Sequence, residues 1–117
     1  MQYLLMIYDN EKDWASMTEA KRGALYQAYG KFTKEIEASG NLQGGNPLQP
    51  TSTATTVRKR DGKVLKTDGP FAETREQLGG YYLIEAKDLD EACAIAARIP
   101  SAEFGSIEVR PIQPMSM

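Results

Sequence analysis

The chain has 117 residues, 26% of them charged and 41% hydrophobic, with a net charge of −2, a balance ordinary for a single soluble globular domain. Zero histidines and one cysteine, Cys93, exclude an internal disulfide, a cysteine-rich zinc site, and the commonest metal ligand and general base. The slight acidity offers no general attraction to nucleic acid or anionic membranes, and no run approaches the roughly 20 apolar residues of a membrane helix, so a cytoplasmic protein is expected.

Residues 3–8 are apolar at every position, the pattern of a central strand covered on both faces. Ser16 and Glu19 have capping-box spacing and predict a helix from about Met17. Its stripe is Leu25, Tyr29, Phe32 and Ile36, with Lys21, Arg22, Lys31, Lys34 and Glu35 outside it, and Gly40 is its stop. Leu42 and Leu48 sit among Gly44, Gly45, Pro47 and Pro50, so a strand there is bent, bulged or at an edge. Residues 51–60 and 63–67 flank Asp61-Gly62 and read as a hairpin. Asp68-Gly69-Pro70 breaks the pattern, and residues 72–77 are expected as a short helical turn. Residues 80–86 give a second central strand. Asp88 and Glu91 cap a second helix with Leu89, Ala92, Cys93 and Ala96 on its apolar face, ending at Pro100. Ile107, Val109 and Ile112 make a last edge strand.

The predicted class is α+β, a ferredoxin-like split βαβ with an inserted β-hairpin in one domain, residues 1–117. Two helices cover one face of such a sheet, so a second copy is expected on the other, forming a homodimer. Surface scaling gives a folded chain of 13.0 kDa about 6,300 Å² of accessible surface.

The run Asp68-Gly69-Pro70-Phe71-Ala72-Glu73-Thr74-Arg75-Glu76-Gln77-Leu78-Gly79-Gly80-Tyr81-Tyr82 resembles the DGPF branch of the YCII-related family. Residues 52–58, the opening strand and residues 88–92 resemble it too, so the likeness covers nearly the whole chain. The resemblance implies a dimeric α+β barrel and a superfamily of small isomerases, monooxygenases and haem enzymes, in which fold is a poor guide to activity. Some members have a His and Asp pair; this chain has no His, so that pair does not transfer. The branch is also known for genes beside extracytoplasmic-function sigma factors, which implies a regulatory setting.

Asp68 is the candidate general acid or base, against a plain reading as a cap of its turn. Glu73 and Arg75 follow within one turn as an acid and an anion clamp, or as a solvated pair. Phe71 belongs to the same motif, and Tyr3, Tyr81 and Tyr82 are candidate ligand-binding residues, with core packing as their alternative. A Tyr hydroxyl near Asp68 suits proton donation to an enolate. Arg58, Lys59, Arg60, Lys63 and Lys66 make the hairpin basic, more simply solvated than a nucleic-acid contact. The glycines match no dinucleotide or phosphate loop, and neither cofactor nor metal is assigned. Cys93 is expected as a small buried hydrophobe. Two functions remain open: a small-molecule enzyme or binder, and a regulatory protein whose partner is a sigma factor.

Overall fold

The structure, a computed structural model, describes residues 1–115. Its elements are β1 (Gln2–Asp9), α1 (Glu11–Ser16), α2 (Glu19–Ala38), β2 (Leu42–Pro47), β3 (Thr55–Arg60), β4 (Lys63–Asp68), β5 (Gln77–Glu85), α3 (Leu89–Ala97) and β6 (Ser106–Pro111). The four long-range strands form an antiparallel sheet in the order β2-β5-β1-β6, while β3 and β4 pair only with each other. This is the split βαβ plan with an inserted hairpin. β1 and β5 are central and β2 is a bulged edge strand, as its glycines and prolines require.

Along β1, Tyr3, Leu5, Ile7 and Asp9 point toward the helices and are buried, and the intervening residues are half-buried. The core closes with Phe32 and Ile36 from α2, Ile84 from β5, and Ala92, Ile95 and Ile99 at the α3 end. Leu5, Ile36 and Ile84 are fully excluded from solvent, so truncating any of them to Ala costs about 2–5 kcal/mol. Tyr3 is 3% exposed within this core, which gives it a packing role.

Four local expectations are corrected. The cap of the long helix is Thr18, whose side chain accepts from Lys21 N at 3.1 Å; Ser16 instead ends the extra helix α1, capped by Asn10. Residues 72–77 form no helix, and Gln77 already belongs to β5. Cys93 is exposed, because the buried positions of α3 are Ala92, Ile95 and Ala96 and the next residue after Ala92 turns about 100° away. Leu89, one turn ahead, is likewise half exposed.

Asp61 and Gly62 both have positive φ, 50° and 75°, the two-residue turn that matches strand twist. The hairpin it closes is exposed along nearly its full length. The molecule measures 48 × 48 × 19 Å with a radius of gyration of 16.3 Å, against about 13 Å for a compact chain of this size. Its accessible surface is 8407 Å², some 2,000 Å² above the scaling value. No helix among the described residues is long and apolar enough to cross a membrane.

Candidate functional site

A cavity of about 710 Å³ opens between the sheet and α2, closed at its ends by α1 and by residues 45–50. One face of α2 supplies Arg22, Tyr26, Tyr29 and Thr33. Their steps of four, three and four place them in a single row beside the core stripe. Arg22, read from sequence as lying outside the apolar stripe, is therefore part of the cavity wall. Trp14 from α1 and Tyr82 from β5 complete an aromatic lining, with Trp14 and Tyr26 ring centroids 5.7 Å apart.

The charged group at its floor is Asp9, 5% exposed, at the C-terminal end of β1. A buried carboxylate is costly without hydrogen bonds. Trp14 Nε1 donates to Asp9 Oδ2 at 2.9 Å, Oδ1 has no hydrogen-bond partner among the described residues, and Asp9 lines the cavity. Gly79 keeps the approach to Oδ1 open, since a Cβ there would stand 3.5 Å from it. From behind, Gly105 lets the backbone close on β1: its Cβ would stand 2.9 Å from the Asp9 Cβ.

Two tyrosines of the lining carry buried hydroxyls. The Tyr29 hydroxyl pairs with that of fully buried Ser101. Burial pushes Tyr29 up to about 12, and the nearby Asp9 charge pushes in the same direction, so the phenol stays protonated at neutral pH. Thr33 Oγ1 donates its one proton to the Tyr29 carbonyl at 2.8 Å, so the Tyr82 hydroxyl, 2.7 Å from Thr33 Oγ1, must be the donor in that pair. Tyr82 is left with lone pairs to offer as an acceptor. Burial raises its phenol as well.

The cavity edge is held by a chain of side-chain bonds. Both oxygens of Glu11 accept from Thr51, from its backbone N at 2.7 Å and from its hydroxyl at 2.8 Å. Glu11 N donates to Gln77 Oε1 at 3.0 Å, and Gln77 Nε2 donates to the Thr74 carbonyl at 2.6 Å. The segment Leu48–Pro50 is thereby latched to α1, and α1 to the segment that follows the DGPF turn.

Of the residues singled out by sequence, Tyr81 and Tyr82 line the cavity. Tyr81 pairs with Met6 on the opposite sheet face, and its hydroxyl accepts from Asn46 Nδ2 at 3.0 Å. Asp68, Phe71, Glu73 and Arg75 are exposed and line no part of it; Phe71 is 82% exposed. Gly69, with φ +100°, donates its N–H to the Ala54 carbonyl at 2.7 Å, and the Gly69 carbonyl accepts from Thr56. The DGPF turn thus closes the base of the hairpin. Sequence reading missed Asp9, Trp14 and Arg22; the signals it had were a charge ending an apolar strand and the 22–26–29–33 spacing.

No three metal-ligating side chains converge among the described residues. The sequence profile of the YCII-related domain matches residues 1–116. An uncharacterized protein of Rhizobium meliloti (strain 1021) is 34% identical over 114 residues, spanning 96% of this chain and 92% of that protein. The fold is similar to that of 5-chloro-2-hydroxyhydroquinone dehydrochlorinase (TftG) from Burkholderia phenoliruptrix AC1100, solved in complex with 2,5-dihydroxybenzoquinone. The TM-score is 0.58 at 16% identity, covering 97% of this chain and 94% of that one.

Proposed function

Because the chain belongs to the YCII-related domain family, we propose that it is a small-molecule enzyme of the cytoplasm that moves a proton at Asp9. The observation that carries this reading is a buried carboxylate in the lining of an aromatic-walled cavity, with one oxygen left without a protein partner, where burial strengthens every electrostatic contact to a ligand. The general acid or base that sequence reading placed at Asp68 is thus assigned to Asp9. Protonated Tyr29 lies near it and the acceptor Tyr82 farther along the cavity, both as positioning groups. That TftG, which shares the fold, is a dehydrochlorinase with a cyclic ligand supports a ring-shaped substrate here.

The first probes are 2,5-dihydroxybenzoquinone for thermal stabilisation, which reports binding to the folded state, and 5-chloro-2-hydroxyhydroquinone for turnover. Asp9→Asn keeps an acceptor for Trp14 but removes the base, and should lower turnover by about a hundredfold or more. Asp68→Asn should change it less than about twofold. Equal activity of Asp9→Asn and parent would remove Asp9 from the chemistry.

The proposal includes a homodimer. The sheet face bearing Leu4, Met6, Tyr8 and Leu83 has no helix on it, and the excess surface of each chain is more than the roughly 800 Å² that one partner buries in a standard interface. Light scattering should give twice the single-chain mass; a folded species at 13.0 kDa refutes the dimer. The exposed basic hairpin favours a second reading, a protein partner such as a sigma factor docking there. Co-purification that is lost when Arg58, Arg60 and Lys63 are changed to Ser would support it, and no complex would count against it.

A further inference from the structure

Asp9 and Arg22 both enter the cavity, and both are tied to Trp14. Asp9 holds the indole N–H through Oδ2. Arg22 holds the Trp14 carbonyl at 3.0 Å and the Met17 carbonyl at 3.2 Å, both through Nη2. Each group thus spends only part of its capacity on anchoring α1. Asp9 Oδ1 remains as an acceptor, and Arg22 Nε and Nη1 remain as donors without an acceptor among the described residues. The two charges do not pair with each other; the ion pairs of the described residues lie elsewhere. Tyr82 adds an acceptor farther along α2.

A ligand that satisfies this end of the cavity must bring a hydrogen-bond donor for Asp9 and an oxygen acceptor or anion for Arg22 together. The walls between Trp14, Tyr26, Tyr29 and Tyr82 suit a flat ring. We infer that the ligand is a planar ring bearing a hydroxyl beside an oxygen acceptor, as in ring hydroxy-acids and hydroxy-ketones, recognised jointly by Asp9 and Arg22. Either group alone is insufficient, because a ligand with only one leaves the remaining hydrogen-bonding capacity of the other unused beside it. The inference rests on the cavity being the small-molecule site.

Salicylate, benzoate and phenol separate the requirements: the first has both groups, the second only the anion, the third only the donor. Calorimetric titration should show salicylate binding at least tenfold tighter than either of the others. The chain has one tryptophan, so its single indole N–H resonance should shift on binding, since that proton lies on Asp9. Asp9→Asn should bring salicylate to the level of benzoate. Arg22→Met should bring it to the level of phenol, and the parent's own affinity order decides the matter if either variant unfolds. If benzoate or phenol matches salicylate while the indole signal shifts, the ligand class is wrong and the cavity reading stands. If none of the three binds or shifts that signal, the cavity reading falls with it.

Discussion

The hairpin arm and the cavity sit at opposite extremes of sequence legibility and of burial. The arm and its closing turn, residues 55–76, hold the most distinctive run of residues in the chain, yet Asp68, Phe71, Glu73 and Arg75 all lie on its exposed surface. The cavity draws Asp9, Trp14, Arg22, Tyr29 and Tyr82 from four separate elements, and only Tyr82, the last residue of the 68–82 run, belongs to a recognisable motif. A contiguous motif marks where backbone geometry is demanding, whereas chemistry assembled from distant strands and helices leaves no local signature. The Gln77–Glu11–Thr51 chain is where the two regions meet.

The contrast is broken most directly at two glycines. A side chain at Gly105 would overlap the Tyr8 carbonyl and press on Asp9 and Ser101, so Gly105→Ala should cost about 3 kcal/mol in urea unfolding. Gly69 has positive φ and open space around it, so Gly69→Ala should cost only about 1 kcal/mol. Equal costs would mean that the arm is as tightly determined as the cavity.

A smaller effect is expected at the latch. Thr51→Val removes one bond to Glu11 and should cost about 1 kcal/mol while raising acrylamide quenching of Trp14 roughly twofold. Thr56→Val removes the comparable bond to Gly69 on the arm, and should leave the quenching unchanged. Identical quenching in both variants would detach the latch from the cavity.

One effect appears only in alkali. Because Tyr29 is raised from 10.0 to about 12, the folded state holds that proton more tightly than the unfolded one. Its contribution is complete below pH 10 and is lost as pH rises through the folded value. Tyr29→Phe should flatten this part of the stability profile, measured by unfolding at successive alkaline pH values. An unchanged slope would show that the Tyr29 phenol is freely solvated.

The plan of the fold was readable because its signals are local. The unbroken apolar run of β1, the Asp61-Gly62 turn and the Asp88 cap each follow from a few adjacent residues. Thr18 was missed because Ser16 offered equivalent capping chemistry two residues earlier, and α1 because six residues carry too little periodicity. Asp9 was hidden for a different reason. An acidic residue ending a strand ordinarily marks the start of a loop, and only the bond from Trp14 and the closeness of Gly105 keep it inside. Gly79 and Gly80 match no ligand-binding loop, and nothing in the run around them indicates that Gly79 lies beside a carboxylate.

The bulge in β5 has a consequence of parity. Ile7 faces Gly80, but Tyr8 faces Leu78 and Asp9 faces Gln77, so Gly79 is the unpaired beat in a two-beat alternation. Everything before it on β5 is out of phase with everything after it. Gln77 therefore turns to the helix side, where its carbonyl meets Glu11 N, and Leu78 turns away. A regular ladder through the same residues would set Leu78 opposite Asp9 and present a leucine to α1 in place of the amide. The hairpin tip at residues 61–62 is exposed and tolerates a change of length, whereas the bulge decides which residue of β5 reaches α1.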